Sequence, residues 1–468
     1  MKFHRVSIAL VVACFATGMN GCTSYQARPI EPAATADQFM ARSLEDARLQ
    51  TYLREHDVPP SRIGWGLNAL TWVALFYQPE LDAARSKWNI AKAAAITAGA
   101  RPNPTLDITN QYNVDATTGV SPWTLGPTLA LPLETAGKRH ARILEAQHRA
   151  EAARLELADE AWKVRSQVRN ALLRLYPTTS LIEEAQRDEA QLVDVLEHRF
   201  REGEASRLDL LQAQLALHQF TLDTQESRKQ RAEYRAGLAT ALGLPAQALD
   251  DAPISFDAFK VLPPADAIPI RKARRWALLN RTDVRRALAD YRATEAALQG
   301  EVAKQYPDVT LGPGVEWDAG QMKWGLGLSL TLPIFNRNQG PIAEARARRE
   351  EAAAQFFAVQ ARAIGEIDQT LAGYQQVVAK LATANALLAD QRKAATSAQA
   401  FYDAGQTDSV DLLTARVELA KAQLDQARTL IEAQEALGAL EDALRHPLVG
   451  AALNTDVIEH TPRPKDAM

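Results

Sequence analysis

The sequence predicts a mainly α-helical chain with a membrane β-barrel portion, built as two half-repeats whose long antiparallel coiled-coil helices make a hollow or bundled column. Three observations predict it. A pattern of punctuation occurs twice about 202 residues apart, each copy opens with two alternating strands, and each strand pair is followed by a very long helical stretch. Pro104, Pro132, Gly203 and Pro245 mark the first copy, and Pro307, Pro333, Gly405 and Pro447 mark the second. Their intervals are 28, 71 and 42 residues against 26, 72 and 42. A period near 200 far exceeds the roughly 20 to 50 residues of a solenoid unit, so a whole half-protein is duplicated.

Of 468 residues, 47% are hydrophobic and only 6% aromatic, which favours long Ala- and Leu-rich helices. A formal charge of -4 argues against nucleic acid as a partner. Lys2, His4 and Arg5 precede the apolar run from Val6 to Ala16, and Gly21 and Cys22 follow, the pattern of a secretory signal ending at a lipidated cysteine. Met19 and Asn20 depart from the usual cleavage motif. Loss of residues 1–21 would leave Cys22 as the one cysteine and no internal disulfide.

No segment after the signal has the 18 or so consecutive apolar residues of a membrane helix, so a crossing must use strands. Leu106 and Ile108, Leu125 and Leu129, Leu311 and Val315, and Leu326, Leu328 and Leu330 each alternate with polar or small residues. Tyr112, Trp123, Trp317 and Trp324 sit toward strand ends, as an interfacial aromatic belt requires. Four strands cannot close a barrel that needs roughly eight or more, so several chains must share one.

The helical stretch from Pro132 to Gly203, about 65 residues, would run nearly 100 Å, with a kink or break at Pro177. Shorter pieces from Ser206 to Leu242 and Thr282 to Gln305 return the same distance, and the second repeat is built alike. Val410, Leu413, Val417, Ala420 and Leu424 step by three and four, a coiled-coil seam, with His218 at the matching place in the first repeat. Gln247 to Lys272, rich in Pro and Asp, is expected to be a non-helical equatorial segment. The division is then a signal at 1–21, a lipid-anchored segment at 22–77, and repeat 1 at 78–245 with strands at about 104–113 and 122–132. After these come the equatorial segment at 246–280, repeat 2 at 281–447 with strands at about 307–317 and 323–333, and a tail at 448–468.

These features resemble the TolC-like outer-membrane efflux proteins. The resemblance spans about Trp72 to Pro447, and its most specific parts are the two helical tips, Arg201 to Leu211 and Asp403 to Leu413. Leu131 to Arg139 is similar to the heavy-metal (cobalt-zinc-cadmium) branch. The resemblance implies a homotrimer whose twelve strands form one barrel, whose long helices continue it as a periplasmic α-barrel, and which serves as the exit duct of a tripartite efflux pump. It further implies a periplasmic adaptor (membrane fusion) protein and an inner-membrane pump of the resistance-nodulation-division type as partners, outer-membrane lipid around the barrel, and metal cations or drugs as cargo.

At each tip a Gly stops one helix, and a cap residue and an acid open the next: Gly203, Ser206, Asp209 and Gly405, Asp408, Asp411. Capping alone would account for these carboxylates. By resemblance, Asp411 matches an acidic ring of the closed aperture, Asp209 an acceptor, and Tyr402 the tyrosine that holds it, while Thr414 and Thr407 replace a second acid and a latch arginine. Gly203, Ser206, Leu208, Gly405, Asp408 and Val410 are the expected adaptor contacts. His140 and His148 are eight apart and off one helical face, and neither CxxC nor HxxxH occurs. No cofactor, resident metal or catalytic group is expected. The rival expectation is a lipid-anchored periplasmic coiled-coil scaffold without channel activity.

Overall fold

A computed structural model describes residues 23–58 and 64–449, so the signal expectation and Cys22 lie outside the described residues. Residues 23–42 belong to a unit of their own, holding α1 (Pro32–Met40), which begins with Pro at its first turn and buries none of its side chains. The other described residues belong to a second unit.

That unit starts with α2 (Ala47–Glu55) and α3 (Leu67–Tyr77), then α4 (Pro79–Ala98), β1 (Thr105–Tyr112) and β2 (Trp123–Leu133). The long helical stretch follows as α5 (Lys138–Arg174) and α6 (Thr179–Glu202), broken around Pro177, and α7 (Arg207–Leu242) returns. Proline lacks the N–H that would bond back one turn, and its ring crowds that carbonyl, so the helix stops. After the equator come α8 (Ile270–Asn280), α9 (Thr282–Ala303), β3 (Val309–Asp318) and β4 (Gln321–Leu330). The 65-residue α10 (Gln339–Asp403), about 98 Å long, and α11 (Ser409–Leu444) complete the second repeat.

Two expectations need correction. The equatorial stretch holds short 3-10 turns at 246–249, 257–259 and 265–267, but its end is helical because α8 opens at Ile270. The fourth strand stops at Leu330 and not near residue 333, because Val309, where β3 starts, is its last partner.

The strands form one antiparallel sheet in the order β1-β2-β3-β4. Register decides its two faces. Leu106 opposes Leu129, Leu131 opposes Leu311, and Leu311 opposes Leu328, so apolar residues fall on one face across all four strands. On the other face Thr128 opposes Gly314, Gly314 opposes Gly325, and Glu316 opposes Lys323. The apolar face is exposed in the single chain, the arrangement of strands with lipid on one side and a lumen on the other. Among the described residues no helix is long and apolar enough to cross a membrane.

Midway along the column, α2 and α3 pack on the ends of α5 and α7 through Leu49, Leu53, Leu70, Val73, Leu172 and Leu242. A second cluster joins α8 to α10 and α11, with Tyr374 fully buried and its hydroxyl donating to the Pro263 carbonyl. Burial pushes that phenol up to about 12. Between α5 and α11 lies a buried polar clasp. Arg165 donates to Glu441 at 3.1 Å, Arg169 to the Gln434 carbonyl at 2.5 Å, and Trp162 to Asp442 at 2.8 Å. Gly438 makes room for it, since a Cβ there would lie 2.0 Å from Nη1 of Arg169.

Candidate functional site

The two helix-turn-helix tips are built by the same local chemistry. α6 ends at Gly203 and α10 just before Gly405, with φ of +78° and +69°, the left-handed region open to a residue without Cβ. Ser206 then accepts the Asp209 N–H at 3.1 Å, and Asp408 accepts those of Val410 and Asp411 at 2.8 and 3.1 Å. Each side chain satisfies N–H groups that the first helical turn leaves without a partner, worth about 1 kcal/mol per cap.

The tips are joined by a contact between residues 209 apart in the chain. Arg199 on α6 donates to Asp408 at 2.6 Å, and that bond, ahead of the N–H groups at Asp411 and Val410, holds the Asp408 carboxyl below its ordinary 3.8. Its signal lies in the repeat: 202 residues on, Arg199 is replaced by Phe401, and Ser206 by Asp408. Asp411 accepts a hydrogen bond from the Thr407 hydroxyl. Tyr402 and Asp209 are not hydrogen-bonded to each other within one chain, and Tyr402 is exposed. Leu208 is exposed on α7, whereas Val410, its counterpart on α11, is partly buried against Leu192, Leu196 and Leu413.

Behind the turns, α6 supplies two acids to its contact with α11, Glu189 buried and Asp188 half-buried. Burial lifts the carboxyl of Glu189, opposed by the charge of Lys421, and burial followed by the charge of Glu184 lifts that of Asp188. Among the described residues no group of three or more His, Cys, Asp or Glu side chains is placed to hold a metal ion.

At the far end of the column, Tyr112 and Trp123 meet edge to face at 4.9 Å beside the first strand turn. Trp317 pairs with Met322 next to the second turn, and Trp324 pairs with Val315 a little deeper. All four are exposed and cluster near the turn end of the sheet.

A helical column with capped tips at one end and a two-faced membrane sheet at the other defines a channel-type protein of an outer membrane. Family comparison gives the particular class: the model described as "Outer membrane efflux protein" matches residues 73–244 and again 274–444, and the chain belongs to that family. Its two matches are the two repeats. The cobalt-zinc-cadmium resistance protein CzcC of Cupriavidus metallidurans is 24% identical over 353 residues, 74% of this chain and 81% of that protein. The pyoverdine export outer membrane protein OpmQ of Pseudomonas aeruginosa is 24% identical over 95% of both chains. Among solved structures, VceC of Vibrio cholerae superposes with a TM-score of 0.64 at 22% identity, covering 81% of this chain and 95% of that one. CusC superposes at 0.61 and 19% identity, covering 81% and 91%. The fold is theirs, and the chain is an outer-membrane channel of the efflux class.

Proposed function

We propose that three copies of this chain close into one duct, the outer-membrane channel of a tripartite pump that exports metal cations. One observation carries the assembly. α11 buries its tip-side seam, with Leu413 7% and Val417 3% exposed, whereas the equivalent residues on α7, Leu211 and Leu215, are 50% and 60% exposed. Within the chain α6 covers the α11 seam, so the α10 of a second copy, built by the same repeat, is the fitting cover for α7. The edges β1 and β4 have no further strand partner among the described residues, and three copies supply twelve strands, above the roughly eight that a membrane barrel needs.

Asp411 repeated three times around the aperture would attract cations without a fixed binding site. The name of CzcC supports metal as cargo, and that of OpmQ supports an organic export substrate as the second possibility. An adaptor protein seated on the tips at Gly203, Ser206, Leu208, Gly405, Asp408 and Val410, an inner-membrane pump supplying energy, and acylation at Cys22 complete the proposal. Native mass spectrometry of detergent-extracted protein is expected to give three chains, each carrying lipid at its N-terminus. In a planar bilayer the same sample should conduct, and Asp411→Ala should weaken block by a multivalent cation. A monomer that conducts nothing would return the reading to a scaffold.

A further inference from the structure

The break around Pro177 has no counterpart in the second repeat, where Ala379, 202 residues on, lies inside the uninterrupted α10. The interruption opens a cleft of about 380 Å³ between the break, α7 and the segment 252–256. Part of its lining is apolar, Ala252, Ile254 and the rings of Tyr176 and Phe256, which meet edge to face at 5.7 Å. Three arginines line it, Arg174, Arg231 and Arg235, and no acidic residue does.

That imbalance is unusual along this column. In the larger cleft where α5, α9 and α10 approach the sheet, basic residues are matched: Lys138 with Asp308 at 2.8 Å, Arg142 with Glu134 at 2.6 Å, Lys304 with Glu301 at 2.6 Å. Arg228, one turn before Arg231, is likewise held by Glu183 at 2.9 Å. Arg231 has no ion pair among the described residues, and Arg174 rests over the Tyr234 ring at 5.9 Å. Arg235 donates through Nη2 to the Leu249 and Asp250 carbonyls, while its buried Nε has no hydrogen-bond partner and lies 3.9 Å from the Asp250 carboxylate.

We propose that this cleft binds an organic anion, a carboxylate or phosphate ester carried on an aromatic or short acyl body. Guanidinium groups make their strongest hydrogen bonds to such oxygens, the apolar part of the lining takes the body, and the volume is that of a small-ligand site. An occupant would touch α5, α6 and α7 together at the joint from which the first tip extends. The inference concerns binding and stands apart from conduction.

Calorimetric titration of the full chain in detergent tests it, with phenyl phosphate, benzoate and neutral benzyl alcohol as probes. At least one of the two anions is expected to saturate at one site per chain, and benzyl alcohol is not; which anion binds tighter tells phosphate from carboxylate preference. Arg174→Gln combined with Arg231→Gln should weaken binding by about tenfold or more, the loss of charge-assisted bonds, without lowering the melting temperature because both side chains are exposed. Arg228→Gln should leave affinity within about twofold, since its charge is already paired. The proposal is overturned if neither anion saturates by about 10 mM, if the double variant binds like wild type, or if Arg228→Gln costs as much as the double variant.

Discussion

The second return helix, α11, and the first, α7, descend from one duplicated element, yet one has both seams covered and the other has one bare. On α11, Leu412 and Ala422 lie buried along one seam, while Leu413, Val417, Ala420 and Leu424 lie buried along another that faces α6. On α7 the seam toward α6 is filled by Ala213, Phe220 and Thr224, but Leu208, Leu211, Leu215 and Leu222 stand exposed. Four leucines at heptad spacing make an apolar stripe with no cover in the single chain, and each Leu fully buried by a partner would contribute about 1.5 to 3 kcal/mol. The difference teaches that half of the tip's packing belongs to the chain and half to its assembly.

The largest expected effect comes from charging the bare seam. Leu211→Asp with Leu215→Asp should leave a chain of normal helicity and melting temperature, since both side chains are exposed in it, while the trimer disappears from mass measurements in detergent. Leu413→Asp should do the reverse to folding, because that side chain is buried against α6 and an unpaired buried charge costs several kcal/mol. Equal damage from both changes, with no loss of the trimer in the first, would end the idea that the two seams differ in their cover.

A smaller effect is expected from the latch. Within one chain Tyr402 finds no bond to Asp209, so a latch between them must cross between copies along the proposed bare seam. A hydrogen bond to a charged group is worth about 1.5 to 3 kcal/mol and would occur once per copy. Tyr402→Phe together with Asp209→Ala should therefore raise single-channel conductance in a bilayer with the trimer intact. Conductance at the wild-type level would leave Tyr402 as a packing residue and Asp209 as a first-turn acid.

Much of this was legible because it rests on short-range rules. The Gly stops, the cap residues, the break at Pro177 and the alternation of each strand follow from spacing within about ten residues, and the duplication supplied every pattern twice. What escaped depends on pairing across hundreds of residues. Arg165 and Arg169, four apart on a helix face that otherwise carries Val164, Val168 and Leu172, announce a buried charge partner but cannot name Glu441. The Arg199 to Asp408 bond was hidden in the same way, although the register of the repeats, with Phe401 and Ser206 at the equivalent places, marks it as a feature of one seam only. The helical end of the equatorial segment, α8, was masked by the Pro-rich run before it.

The smallest expected effect sharpens this last asymmetry. The Arg199 to Asp408 pair is partly exposed, with side chains 26% and 46% accessible, so solvent screens it and its worth is about 1 kcal/mol or less. Asp408→Asn removes the charge but keeps a good cap, so the melting temperature should fall by no more than about 2 °C, the shift for a fraction of a kcal/mol in a chain this large. The sign of the pH dependence separates the pair from its neighbours. The Asp408 carboxyl is held below 3.8 in the fold, so its contribution is present above that value and is lost as pH falls through the lower, folded value. Glu189 and Asp188 are shifted upward by burial, so their contribution runs the other way: proton uptake on acidification favours the folded seam, and it does so above the range in which Asp408 titrates. Hydrogen exchange at residues 405–412 should therefore hold steady or slow on going from neutral pH to about 4.5, then lose protection below 3.8. In Asp408→Asn, once the intrinsic exchange rate at each pH is divided out, the loss below 3.8 should be absent. A wild-type tip whose protection is flat through that window would show that the charge of Asp408, and with it the ion pair between α6 and α11, is incidental to holding the tip.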